Sequence, residues 1–260
     1  MPHVACDLED PRATAAAVLH LAPAAVIHAQ ALSDVDRCEQ EPARAEALNA
    51  AATRHLVDAL AGTPAWLVYV SSDYVFDGAK GAPYDEADAP RPLSVYGRSK
   101  LAGEAAALRH PRTLVVRPST LFGPGRMNFC DFIVQQLLGG GIVEAFCDQT
   151  TSPTYTVDLA EALVDLLGAI RQTSSMLSRV VHVANAGACT REAFAEYVAD
   201  RLGHPRAGIR AIRMADQRRP ARRPPCSALT SRYLKPLIGR ELRPWDEAVT
   251  AYLRRRRWLA

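Results

Sequence analysis

The chain has no glycine before Gly62, so its first quarter contains no glycine-rich strand-to-helix turn of the phosphate-cradling kind. The later run Gly139-Gly140-Gly141 is no substitute, because it stops a helical stretch instead of following a strand. Lysine is almost absent: of 31 basic side chains only Lys80, Lys100 and Lys235 are lysines. Cysteine is sparse, and its positions (6, 38, 130, 147, 189 and 226) show no Cys-x-x-Cys spacing and no paired histidines. That pattern excludes a zinc ribbon and a disulfide framework, and it reads as reduced thiols of a cytoplasmic protein. No apolar run reaches the roughly 20 residues that a membrane span needs. No basic segment followed by an apolar core opens the chain, so no secretory signal is visible. A net charge of +3 gives no argument for nucleic acid. Internal repeats and low-complexity segments are absent.

What is present is ordinary in bulk and specific in detail. The 260 residues, 48% apolar and 23% charged, allow one large domain or two modest ones with a full core. Among so few lysines, Lys100 stands four residues after Tyr96. On a helix those positions share a face, bringing a phenol beside an ammonium. Lysine, unlike arginine, is a compact charge whose acidity shifts with its surroundings. Apolar runs at 24–29, 65–70, 113–117, 142–146 and 180–184 read as buried strands. Helical spacing marks 43–60, 94–109, 129–138, 159–170, 192–202 and 245–253. Strands alternating with helices predict an α/β fold with a parallel, doubly wound (Rossmann-like) sheet. Ligands of such sheets sit at the carboxyl ends of the strands, where Ala29, Gln30 and Ala31 end one strand and Ser71, Ser72 and Asp73 end another. The arginines clustered at 218–223 and 254–257 read as solvated surface, with one of the first cluster as a candidate for an anionic ligand.

The runs Ser-Ser-Asp-Tyr-Val-Phe-Asp-Gly (71–78), Pro83-Tyr84 and Pro-Leu-Ser-Val-Tyr-Gly-Arg-Ser-Lys-Leu-Ala-Gly-Glu (92–104) resemble the extended short-chain dehydrogenase/reductases. Within that group they most resemble the dTDP-4-dehydrorhamnose reductase family. The resemblance runs nearly end to end. It includes His28-Ala29-Gln30-Ala31, Asn49, Ser152-Pro153-Thr154-Tyr155 with Asp158, His182 to Asn185, Arg223 to Ser227, and Pro244 to Ala248.

The resemblance implies reduction of the 4-keto group of dTDP-4-dehydrorhamnose to dTDP-L-rhamnose, with NADPH (or NADH) as hydride donor. It implies that Tyr96 is the general acid and that Lys100 lowers the phenol's pKa and bonds the nicotinamide ribose. Ser72 would hold the carbonyl oxygen in line. Ala29, Gln30, Ala31, Asp7 and Leu8 would line the cofactor, the last two beside adenine. Asp73, Tyr74, Asn128, Thr154, Tyr155 and Arg223 would face the nucleotide sugar. The resemblance implies no partner beyond that substrate and a possible second copy in a homodimer. Mg²⁺ at such a dimer contact is possible, though no residue cluster indicates a metal. The expected organisation is a cofactor domain at 1–141 and a mainly sugar-nucleotide domain at 142–260, with the strand at 180–184 returning to the main sheet.

Simpler readings stand beside these. Asp7 is equally an N-cap ahead of Pro11, and Ser72 a turn residue or helix cap. His28 is expected to be packed at a strand end. The one departure from the family is the absent glycine turn together with its βαβ unit. The chain therefore reads as an incomplete start or a shortened form. The incomplete start is favoured, since loss of a central strand would leave edges unpaired, and weak NADPH binding is expected of the chain as it stands. A non-catalytic dinucleotide-binding subunit, resembling the regulatory beta subunit of methionine adenosyltransferase, is the alternative. An epimerase or dehydratase on the same scaffold is a third reading, and Asp73 does not discriminate it.

Overall fold

The structure, a computed structural model, describes residues 3–172 and 178–259. Four of its strands form one parallel sheet in the order Ala25–His28, Trp66–Val70, Thr113–Arg117, Val180–His182. Every connection crosses over through helices, as parallel pairing requires. The side chains obey the two-residue period of a strand. Leu67, Tyr69 and Val115 enter one core with Val18, Leu56, Val57 and Leu60 from the helices on that face. Val68, Leu114, Val116 and Val181 enter another with Leu159, Ala162, Leu163, Leu166 and Ile170 from helix Thr156–Gln172. Both faces are covered, which is why these strands read as continuous apolar runs. Among the described residues, Ala25–His28 pairs on one side only, and its Ile27 is 43% exposed.

A third core is built differently. Strands Val143–Phe146 and Ile209–Ile212 pair parallel under helices Phe129–Leu138, Arg191–Leu202 and Trp245–Arg255. It is rich in rings: Phe122 stacks on Tyr155 at 5.5 Å, and Phe194 lies 5.8 Å from Trp245. The expected division at 141/142 does not coincide with the cores. Helix Phe129–Leu138 belongs to the aromatic core, whereas helix Thr156–Gln172 lies on the main sheet with the strand that returns to it.

Helices Val35–Gln40 and Leu234–Ile238 escape the sequence reading, as does strand Ile209–Ile212. The cap of helix Pro11–Leu21 is Asp10, whose carboxylate accepts from the backbone N–H groups of Arg12 and Ala13. Asp7 instead closes a two-residue turn with the Glu9 N–H. The helical stretch at 42–59 is interrupted by a π-turn at Ala47–Ala51, a local widening often found at functional sites. The Asn49 carbonyl in that turn accepts from the Tyr69 and Thr53 hydroxyls.

Candidate active site

A cleft of about 570 Å³ opens at the carboxyl ends of the sheet strands. Its walls include Ser72, Asp73, Tyr74, Tyr96, Ser119 to Pro124, Arg126 to Asn128, Thr156 and Arg191. The position follows from the fold, since strand Trp66–Val70 delivers Ser71-Ser72-Asp73 to its rim.

Tyr96 sits in the first turn of helix Val95–Ala107, capped by the Ser94 hydroxyl on the Gly97 N–H at 3.1 Å. The positive end of the helix therefore lies under the phenol. Gly97 is required here, because a Cβ would stand 2.2 Å from the Tyr74 carbonyl oxygen. The helix and the turn Asp73–Val75 are thus held against each other, and the Tyr74 and Tyr96 rings meet edge to face at 5.9 Å. Nearly two turns further, Gly103 allows the helix to touch strand and π-turn together. A Cβ there would lie 2.1 Å from Tyr69 Oη and 2.4 Å from the Asn49 carbonyl oxygen.

Lys100 is buried, 2% exposed, without a carboxylate against its ammonium. Its Nζ donates to the Val70 carbonyl at 2.7 Å and lies 4.3 Å from the centre of the Tyr69 ring. Burial lowers its pKa from 10.5 to about 7, with Glu104 opposing. The expected lowering of the Tyr96 pKa by Lys100 is not what this arrangement gives. Burial raises the phenol above its ordinary value, and Ser72 offsets only part of that. Glu104 is occupied by Arg117 at 2.7 and 2.8 Å and by the Ser71 hydroxyl at 2.5 Å.

His28 is packed at its strand end, with Nε2 3.1 Å from the Thr53 hydroxyl and its pKa lowered to about 4 by burial and the Lys100 charge. Asn49 clasps Leu32 through both its N–H and its carbonyl and reaches Ser99 at 2.9 Å. This fixes the 29–34 segment against the tyrosine helix. Gln30 Oε1, in that segment, is buried and has no hydrogen-bond partner. Leu8 offers its carbonyl to His55 at 3.0 Å, and Asp7 is exposed. An orphaned acceptor and an unpaired buried ammonium at the strand ends are what a hydroxyl-rich dinucleotide would satisfy.

The substrate-side residues named from sequence are not all gathered. Ser72, Asp73, Tyr74 and Asn128 line the cleft. Asn128, however, caps helix Phe129–Leu138, with its amide turned to Gly123 and Asp131. Thr154 and Tyr155 are buried behind the wall, Tyr155 among Phe122 and Tyr252, and the neighbouring Thr156 is the residue at the surface. Arg223 is held bidentately by Asp36, at 2.8 and 3.0 Å.

Arg126 and Arg191 were missed. Arg191 lies 5.1 Å from the Phe129 ring centre and lowers the Asp73 pKa through its charge. The available signal was an arginine in the first helical turn after Thr190, a place where acidic residues are favoured. Among the described residues no group of three or more histidine, cysteine, aspartate or glutamate side chains could hold a metal ion, and no helix is long and apolar enough to cross a membrane.

Comparison with known proteins agrees over nearly the whole chain. The family described as RmlD substrate binding domain matches residues 2–257. A dTDP-4-dehydrorhamnose reductase of Mycobacterium tuberculosis is 38% identical over 253 residues, 95% of this chain and 81% of the relative. A second, from Streptomyces griseus, is 36% identical over 246 residues, 94% and 81% of the two chains. The crystal structure of the Bacillus anthracis enzyme in complex with NADP superposes with a TM-score of 0.89 at 27% identity, covering 96% of this chain and 87% of that one.

Proposed function

The chain belongs to the dTDP-4-dehydrorhamnose reductase family, and from that premise we propose that it reduces the 4-keto group of a dTDP-4-dehydro-6-deoxy sugar, dTDP-4-dehydrorhamnose, at the cleft beside Tyr96. Bound at the strand ends, NADPH would supply the hydride. Ala29, Gln30 and Ala31 would hold it along one strand end, with Gln30 Oε1 gaining the partner it lacks, and Asp7 and Leu8 would stand on the adenine side. Lys100 would exchange its bond to the Val70 carbonyl for the ribose hydroxyls. The nucleotide sugar would enter along Tyr74, Thr156 and Arg191, whose guanidinium suits a phosphate oxygen.

The residues then divide the work on the carbonyl. Burial keeps the Tyr96 phenol protonated at neutral pH, the state a proton donor needs. As the carbonyl oxygen becomes an alkoxide, Tyr96 Oη gives it that proton. The phenolate formed would be stabilised by the helix N-terminus, and by the Lys100 ammonium once it has left the Val70 carbonyl. Ser72, which lines the cleft with Tyr96, would fix where the oxygen must lie. The single observation that carries this reading is the convergence of Ser72 and Tyr96 on one cleft wall, with the buried Lys100 one turn behind. The same set disfavours the non-catalytic subunit, which would have no use for an unpaired buried lysine. Six free cysteines fit a cytoplasmic enzyme.

The test is NADPH oxidation with the dTDP-keto sugar. Tyr96→Phe should lower turnover by at least about 100-fold, the usual contribution of general acid catalysis. Unchanged turnover sinks the assignment.

A further inference from the structure

Helix Val95–Ala107 grips the end of strand Trp66–Val70 through three positions spaced four residues apart, which share one helical face. Tyr96 lines the cleft with Ser72. The Lys100 Nζ donates to the Val70 carbonyl at 2.7 Å, and one turn on, Glu104 accepts from the Ser71 hydroxyl at 2.5 Å. Lys100 and Glu104 therefore hold neighbouring residues of the strand end. Glu104 is itself fixed from the next strand. The Arg117 guanidinium donates to it through Nε at 2.8 Å and Nη2 at 2.7 Å, lies 5.3 Å from the Phe76 ring centre, and turns Nη1 to His182 Nε2 at 3.4 Å. His182 Nδ1 faces the carbonyl oxygens of Thr230 at 3.0 Å and Tyr84 at 3.2 Å, so that nitrogen carries the proton and Nε2 accepts. Lys100, Glu104, Arg117 and His182 are all buried, so salt and water screen little between the carboxylate and the ammonium.

We propose that Glu104 is a positioning residue that acts through Lys100: its negative charge, one helical turn away, keeps the ammonium charged in the buried site, and Arg117 and His182 hold the carboxylate where it can do so. The proposal rests on the reductase reading above, in which that ammonium stabilises the phenolate. The groups packed around Lys100 leave this task to Glu104. His28 is neutral, its pKa lowered to about 4 by burial and by Lys100 itself. Burial raises the Tyr69 and Tyr96 phenols, so both stay protonated. Burial works to strip the Lys100 proton, and Glu104 works to retain it. Arg117 carries the remaining charge; it opposes Glu104, and the balance at Lys100 favours the carboxylate. Turnover then falls as pH rises through the Lys100 pKa, and it falls at lower pH once the Glu104 charge is gone.

The experiment reads Lys100 directly. With only Lys80, Lys100 and Lys235 in the chain, ε-carbon NMR of lysine-labelled protein gives three signals, and the other two lysines lie on the surface. The full chain is compared with Glu104→Gln, which keeps an acceptor for Ser71 and removes the charge. Pairing Glu104→Gln with Arg117→Met removes both charges, and so covers the case in which a lone buried Arg117 unfolds the single variant. Ser71→Ala keeps the charge and removes the strand contact. The Lys100 titration midpoint should fall in Glu104→Gln, fall less in the double variant and hold in Ser71→Ala. In turnover of the keto sugar, Glu104→Gln should lower kcat about 10-fold at pH 8, the effect of removing an opposite charge worth about one pK unit. The deficit should close toward pH 6, where Lys100 regains its proton in the variant. A Lys100 titration unmoved in both charge variants overturns the proposal. So does a kcat deficit of equal size at every pH, which is the mark of a structural role. Should the wild-type protein turn over no keto sugar, the reductase reading fails by itself, and the lysine titration still decides whether Glu104 holds the charge of Lys100.

Discussion

The strand ends beside the cleft and the rest of the interior handle buried charge in opposite ways. In the aromatic core, Asp131 is met by Arg256 at 3.2 Å and by the Tyr252 hydroxyl at 2.6 Å, and nearby Asp158 is met by Arg243 and Asn185. At the strand ends of the main sheet, Lys100 has a carbonyl and a ring for company, and Asp73 has only hydroxyls. A buried charge without a counter-ion costs stability. The region that bears this cost is the one lining the cleft, which is where shifted acidities serve chemistry. Pairing away from the cleft, where the main sheet too keeps Arg117 on Glu104, and its absence beside the cleft separate the part that holds the fold from the part that acts.

The comparison can be broken most severely at the glycines. Gly103→Ala would drive a Cβ into Tyr69 Oη and the Asn49 carbonyl, neither of which can retreat. Its expected cost is at the upper end of, or above, the ~1–3 kcal/mol typical of overpacking. In the aromatic core, Gly208→Ala meets only the flexible end of Leu137 at 2.8 Å and should cost much less. Urea midpoints of the two variants, measured side by side, decide this. Equal losses would mean that the two regions are equally tightly packed.

Next is the pH dependence of the unpaired lysine. With its pKa near 7 folded and near 10.5 unfolded, Lys100 leaves the unfolded state holding more protons between those values. Stability from this group therefore rises with pH from about 7 to 10.5, by at most about 1.4 kcal/mol per unit. Below pH 7 the full penalty is present. Lys100→Met should be more stable than wild type at pH 7, lose that slope and have no reductase activity. A slope that survives in denaturation curves at pH 7 and 9.5 would assign it to another group. The smallest effect is expected at the surface, where Arg206 bonds Asp200 and Glu196 in full solvent. Arg206→Ala should leave the melting curve superimposable on that of wild type.

Much of this was legible before the fold was known. Strands such as Trp66–Val70 and Thr113–Arg117 announce themselves because both faces are buried, so Trp66 to Val70 and Leu114 to Val116 run apolar without a break. Strand Ile209–Ile212 is half-exposed and carries Arg210, and its pattern is too short to rise above its loop. The start of helix Pro11–Leu21 is legible at Pro11, but two nearby aspartates can cap it, and it is Asp10, not Asp7, that does. Tyr96, Lys100 and Ser72 were readable because local spacing specifies them. Arg191, Ser119 and Ser227 were not, because only tertiary contact brings them to residue 73. The misassignment of Thr154 and Tyr155 for Thr156 is of the same kind. A two-residue strand ending at Tyr155 sets which side chain faces the cleft, and no pattern that short is visible in sequence.

The close approach at Gly97 has a consequence for how such a chain can change. The turn carrying Asp73 to Val75 and the helix carrying Tyr96 are clamped together at that point, and the Arg91 N–H is bonded back to the Val75 carbonyl at 2.8 Å. The intervening residues 76–90 leave and re-enter at one fixed junction. Phe76 and Tyr84 in that stretch are held in a buried cluster, but insertions at its exposed tip, residues 79–83, would lengthen a loop without altering the distance between the serine and the tyrosine.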